Sequence, residues 1–114
     1  MKSLATRDYL SILLDDASLR IMKLLEEKEI TIQQVATILD LPLSSTYRKM
    51  SKLEDLDIIK KTKILRRMDG LDEAFYTLWI YEISISYKNK KLVYNAKHKP
   101  LEDKIARLWQ KFKG

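Results

Sequence analysis

The dipeptide Leu41-Pro42 interrupts an apolar-periodic stretch that otherwise runs from about residue 32 to residue 56. A proline ring crowds the residue before it and pushes that residue out of the helical region, so no single helix runs through Leu41. Two helices must therefore meet across a turn of a few residues. On the N-terminal side, Thr31 and Gln34 have the spacing of a capping box, which starts a helix at Ile32. Val35, Ala36, Ile38 and Leu39 form its core face, and it stops near Asp40. On the C-terminal side, Thr46, Met50 and Leu53 fall at i, i+4 and i+7, with Leu43 and Leu56 extending that face. Ser44, Ser45, Tyr47, Arg48 and Lys52 are left on the other side of this helix, which spans Ser44 to Leu56.

The flanking segments read by the same rules. An amphipathic helix is expected over residues 3–14, with Leu4, Leu10, Leu13 and Leu14 as its stripe. A second follows Asp15 and Asp16, largely buried through Leu19, Ile21, Met22, Leu24 and Leu25. From Ile58 the pattern becomes extended. Residues 58–79 read as a hairpin around Asp69-Gly70, a pair suited to a type I′ turn. Tyr81, Ile83, Ile85 and Tyr87 then alternate with polar residues, and Leu92-Val93-Tyr94 follows Lys88-Asn89-Lys90-Lys91, so residues 80–95 predict a further β segment with one buried face. Pro100 opens a last helix over residues 100–113, with Glu102 and Asp103 in its first turn. With 114 residues the chain is expected to form one domain, 1–114.

Charge sorts unevenly along this plan. Residues 1–59 carry 8 Lys and Arg against 10 Asp and Glu, whereas residues 60–114 carry 14 against 6. A basic C-terminal half suits a polyanion, because lysine and arginine gain affinity by displacing counterions from phosphates. Thiolate metal sites and disulfides are excluded by the absence of cysteine, and a single histidine, His98, leaves no imidazole cluster within one chain. No metal and no cofactor are therefore expected, and His98 is expected in a surface loop. Two glycines leave no phosphate-cradling loop and no Gly-x-Ser-x-Gly, so the chain is not expected to be an enzyme. No apolar run is long enough to span a bilayer and the N-terminus lacks the order of a signal peptide, so a cytoplasmic protein without membrane contact is expected.

Three stretches carry a likeness to a known family: Ser18 to Glu27, Val35 to Leu53 with Leu41-Pro42 at its centre, and Leu56 to Lys61. Together they resemble the ArsR-type winged-helix regulators, archaeal members especially, over about residues 15 to 79. Much of this pattern is shared with the MarR type. The resemblance implies an α+β fold, mainly α: a winged helix-turn-helix with a helical core at 16–56, the helix-turn-helix at 32–56, a wing at 58–79 and terminal helices used for dimerisation, to which the pattern of residues 80–95 adds an extra β segment. The family usually has glycine where Asp40 and Asp57 stand.

The function implied is sequence-specific binding of double-stranded DNA by a homodimeric transcription regulator. In that reading Ser44, Ser45, Tyr47 and Arg48 face base edges in the major groove, with Arg48 suited to guanine O6 and N7. Lys49, Lys52, Lys61, Lys63, Arg66 and Arg67 would serve the phosphate backbone or, at the wing tip, the minor groove. Leu10, Leu13, Leu14, Leu101, Ile105, Leu108, Trp109 and Phe112 would form the dimer interface. Trp79 and Phe75 are read as core or interface residues, not as base-stacking platforms. Two other readings stay open: a winged helix used as a protein-interaction module, and a nonspecific architectural binder. The thiolate sensing of many ArsR proteins does not transfer to a chain without cysteine, and no small-molecule effector can be named.

Overall fold

A computed structural model describes residues 2–100. The elements run α1 (Lys2–Leu13), α2 (Asp16–Glu27), β1 (Ile30–Thr31), α3 (Ile32–Leu39), α4 (Leu43–Asp55), β2 (Ile59–Arg66), β3 (Asp72–Leu78), β4 (Ile80–Lys88) and β5 (Lys91–His98). An antiparallel sheet of order β1-β3-β2 stands beside a separate two-stranded sheet, β4-β5. The core is assembled from α1, α2, α3, α4 and the roots of the strands: Tyr9, Ile12, Ile21, Leu25, Val35, Met50, Leu53, Ile58, Ile59, Tyr76, Leu78 and Ile80.

Local sequence explains where the helices start. Asp15 caps α2 by accepting from the Ser18 backbone N–H. At α3 the capping box is complete: the Gln34 N–H donates to Thr31 Oγ1 at 3.2 Å, and the Thr31 N–H donates to Gln34 Oε1 at 3.0 Å. These bonds satisfy backbone donors that have no partner inside the helix.

Both helix ends in this region are closed in the same way. Asp40 is left-handed (φ 54°), with its N–H directed to the Thr37 carbonyl (3.3 Å) and the Leu41 N–H directed to the Ala36 carbonyl (2.9 Å). Asp57 is left-handed (φ 58°), with its N–H on Glu54 O and the Ile58 N–H on Leu53 O. Each is a Schellman motif with aspartate where glycine is usual. At the second, Leu53 and Ile58 are both fully buried, supplying the apolar contact that accompanies this cap. Aspartate suffices because its short polar side chain tolerates the left-handed region better than most residues.

Several expectations need correction. The Asp69-Gly70 hairpin is not a two-residue type I′ turn. Only Gly70 has positive φ (86°), and the loop Met68–Gly70 is closed by Arg67 N–H to Leu71 O (2.9 Å) and Gly70 N–H to Arg67 O (3.0 Å), the three-residue arrangement with glycine at the bulge. The type I′ turn lies in the second hairpin, where Asn89 (φ 52°) and Lys90 (φ 64°) separate the paired residues Lys88 and Lys91. Leu19, Ile38 and Leu43, assigned to core faces, are exposed. α2 buries only Ser18, Ile21 and Leu25. On α1 the buried residues are Thr6, Tyr9 and Ile12, one face over from the expected leucine stripe. A bulge between Ile80 and Glu82 throws Tyr81 outward, so the inward face of β4-β5 consists of Ile83, Ile85, Tyr94 and Ala96. His98 ends β5, packed on Trp79 with ring centroids 4.5 Å apart and donating from Nε2 to the Asp57 carbonyl (2.9 Å). The expected helix at 100–113 lies outside the described residues.

The left-handed position gives a direct test. Asp40→Val places a β-branched residue at positive φ and is expected to lower unfolding free energy by about 1–2 kcal/mol in urea denaturation, whereas Asp40→Gly causes no loss.

Candidate nucleic-acid interface

Burial of Thr46, Met50 and Leu53 fixes the roll of α4 about its axis. Thr46 Oγ1 donates to the Pro42 carbonyl at 2.8 Å, so this buried hydroxyl has its partner. The opposite strip then presents Ser44, Arg48 and Ser51, all exposed. Tyr47, 49% exposed, flanks that strip. Ser45 is half-buried and its Oγ donates to the Pro42 carbonyl (3.0 Å), which engages it within the first turn of the helix.

α4 stands between two grooves. One, of about 540 Å³, runs between α4 and the turn from α1 to α2, and Leu14, Asp15, Ser45, Arg48 and Lys52 line it. The other, also about 540 Å³, lies between α4, the start of α3 and the first hairpin, with Gln33, Tyr47, Ile64 and Arg67 on its walls. Gln33 and Ser51 were missed in the sequence. Ser51 follows Ser44 by seven residues, so helical spacing alone puts it on the exposed strip. Gln33 falls in the first turn of α3, and only the tertiary contact brings it beside Tyr47.

The cations differ in what holds them. Lys49 Nζ lies 2.8 Å from Asp15 Oδ2, and Lys52 Nζ lies 3.6 Å from Asp8 Oδ1. Both side chains, expected on phosphates, are thus engaged with α1 and the α1–α2 turn. Asp15 also accepts from the Ser18 hydroxyl at 2.6 Å. The hydrogen bond from Lys49, then that from Ser18, holds the Asp15 carboxyl down to about 2 from an ordinary 3.8. Arg48 has no acidic partner among the described residues.

In the first hairpin, Lys61 reaches Glu54 (3.9 Å), Arg66 reaches Asp72 (3.6 Å) and Arg67 reaches Asp69 (3.2 Å). Lys63 Nζ sits 4.5 Å from the centre of the Phe75 ring, and Lys60 sits 5.4 Å from that of Trp79. Thr62 is the extra residue of a bulge between Lys61 and Lys63, pinned by its hydroxyl to Glu29 Oε1 (2.6 Å). Beyond this bulge Ile64, Leu65, Met68 and Leu71 are exposed, so the hairpin end is apolar as well as charged. Its surface ion pairs are individually weak, about 0–1 kcal/mol, and exchange readily for another anion.

Of the residues expected at a dimer interface, Leu10 and Leu13 are half-buried and Leu14 is 78% exposed. Leu101, Ile105, Leu108, Trp109 and Phe112 lie outside the described residues. No described helix is long and apolar enough to cross a membrane, and no group of three or more His, Cys, Asp or Glu among the described residues is placed to hold a metal ion.

No protein-family model matches the sequence, and no curated protein sequence matches it. Solved structures do match in shape. A possible transcriptional regulator from Methanosarcina mazei Go1 superposes with a TM-score of 0.54 at 20% identity, over 61% of this chain and 60% of that one. HlyU from Vibrio cholerae N16961 superposes with a TM-score of 0.52 at 20% identity, over 67% of this chain and 76% of that one. A homodimeric winged helix-turn-helix DNA-binding domain from Mycobacterium bovis, described as a possible ArsR-family regulator, superposes with a TM-score of 0.52 at 15% identity, over 65% of this chain and 63% of that one. The alignments thus span about three fifths of the first and third of these chains.

Asp15 gives a measurable pH signature. Its carboxyl is depressed in the folded state, so its stabilisation is complete above the unfolded value and is lost as pH falls from about 4 through about 2. Asp15→Asn keeps the cap and removes this dependence. Denaturation midpoints between pH 5 and pH 2 are expected to fall more steeply for the wild type, by under about 1 kcal/mol given the exposure of the pair. Equal slopes would mean that the pair contributes nothing. The order of helices, the turn at Asp40 and the hairpin that follows α4, together with these superpositions, establish that the chain has the winged helix-turn-helix fold.

Proposed function

We propose that the protein is a sequence-specific, double-stranded DNA-binding transcription regulator that places α4 in the major groove. The observation that carries this reading is the exposed strip Ser44, Arg48 and Ser51, standing between two grooves with its arginine unpaired among the described residues. A guanidinium fork pairs with guanine O6 and N7, and serine hydroxyls bond either base edges or phosphates. Tyr47 and Gln33 extend the polar surface towards the first hairpin. That hairpin follows the DNA backbone or minor groove, Arg66 and Arg67 exchanging Asp72 and Asp69 for phosphate. Lys52, about half exposed, is the better phosphate ligand of the two α4 lysines, since Lys49 is held at shorter distance.

The reading includes a homodimer in the cytoplasm, with Leu10, Leu13 and Leu14 of α1 and the apolar residues Leu101, Ile105, Leu108, Trp109 and Phe112 at its interface. Two copies of α4 are what an operator with twofold symmetry requires. Equilibrium sedimentation of the full chain is expected to give twice the 13.5 kDa chain mass. A monomer at micromolar concentration would remove this part of the proposal.

A second reading, a protein-interaction module, draws on the exposed Ile64, Leu65, Met68 and Leu71. Salt titration separates the two, because DNA binding weakens steeply with salt and retains a preference for one sequence. A nonspecific architectural binder would keep the salt dependence and lose the preference. On a duplex selected from random sequence, Arg48→Ala is expected to lower discrimination by about 1–3 kcal/mol. Arg66→Ala is expected to weaken all sequences alike and to reduce the salt slope by about one unit. Equal effects of both substitutions on every sequence would reject this division of roles.

A further inference from the structure

The two hairpins treat their charge in opposite ways. At the end of the first, Arg66 and Arg67 are matched across the turn by Asp72 and Asp69. At the end of the second, Lys88, Lys90 and Lys91 surround Asn89 with no acidic residue between Glu82 and the end of β5. All three lysines are exposed and none has an acidic partner among the described residues.

This arrangement is unfavourable for the protein alone. Lys88 and Lys91 are register partners, and like charges directly opposite each other in an antiparallel ladder repel. Lys90 also occupies the left-handed region (φ 64°), where an ordinary side chain is disfavoured. A nearby polyanion relieves the repulsion.

The rest of the hairpin fits the same partner. One face, Ile83, Ile85, Tyr94 and Ala96, packs on the core, with the Tyr94 ring 4.8 Å from that of Tyr9. The root is tied by Lys99 N–H to Trp79 O (2.8 Å) and by His98 to Asp57 O (2.9 Å). The outward face therefore has a fixed direction. It pairs Ser84 with Asn95, Ser86 with Val93 and Lys88 with Lys91, all exposed. Apart from Val93 this row consists of hydroxyl, amide and ammonium donors, the groups that bond phosphate oxygens.

We propose that the β4-β5 hairpin is a second phosphate-binding arm, in which Lys88, Lys90 and Lys91 contact the backbone of duplex DNA outside the segment read by α4. The proposal rests on the DNA-binding reading above. It draws on lysines that lack acidic partners among the described residues, whereas Lys61, Arg66 and Arg67 of the first hairpin each have one.

The test is a salt series of binding by the full chain to a fluorescent duplex of random sequence, with single-stranded RNA and phosphatidylserine vesicles as parallel probes. The triple variant Lys88→Gln, Lys90→Gln, Lys91→Gln is expected to lower the slope of log affinity against log salt by about two to three units. Its thermal unfolding is expected to match or exceed that of the wild type, since a like-charge pair is removed. The triple arginine variant keeps the wild-type slope. Preference for a selected site is unchanged in both, which separates this arm from Arg48. If the wild type binds the duplex and the glutamine variant has the same slope, the arm is wrong while the DNA reading stands. If the wild type binds only the RNA or the vesicles, both are wrong.

Discussion

Two backbone positions decide where the functional surface points. Asp40 and Asp57 hold left-handed conformations that end α3 and α4 with paired backbone bonds. The first turns the chain so that α4 crosses α3, and the second sends it into β2. The carbonyls beyond α4 are then taken up one by one: Tyr9 donates to Leu56 O (2.7 Å), His98 to Asp57 O, and the Trp79 and Ile80 N–H groups to Ile58 O. α1, β5 and the junction of β3 with β4 thus converge on the end of one helix. The bonds to Leu56 O and Ile58 O satisfy polar groups in the partly or fully buried region, where they are costly to leave unpaired.

Electrostatics on this frame divides into charge used within the molecule and charge left open. Lys49 clamps α4 to the cap of α2 through Asp15, so a cation on α4 does structural service. The arginines of the first hairpin sit in weak, exposed pairs that a phosphate can replace. Arg48 and the tip lysines of the second hairpin, Lys88, Lys90 and Lys91, lack such partners among the described residues, whereas Lys97 nearer its root is paired with Glu82. Net charge alone, spread over half the chain, did not separate these cases.

Much of the fold was legible because local rules and tertiary packing agree. The capping box at Thr31, the break at Leu41-Pro42 and the period of Thr46, Met50 and Leu53 each appear as read, and the left-handed turns fall where glycine is usual in the family that the sequence resembles. Hairpin geometry was harder to read. Asp69-Gly70 suits a turn with positive φ at both positions and Asn89-Lys90 only at the asparagine, yet loop length, which depends on register, puts the two-residue turn at the second pair. The face of α1 was misjudged because Tyr9 and Ile12 compete with four leucines, and the position of β5 selects the tyrosine. In the candidate site the outward strip of α4 follows from helical spacing. The partners of Lys49 and Lys52 do not, since Asp15 and Asp8 are more than thirty residues away in sequence.

The central claim is that α4 reads DNA from the major groove through Arg48. Methylation interference on a duplex selected from random sequence tests it most directly, because guanine N7 is exposed only in that groove. The account predicts that methylation at one or more guanine N7 positions blocks the wild-type protein and adds nothing to the weaker binding of Arg48→Ala. Interference confined to adenine N3, in the minor groove, would contradict it.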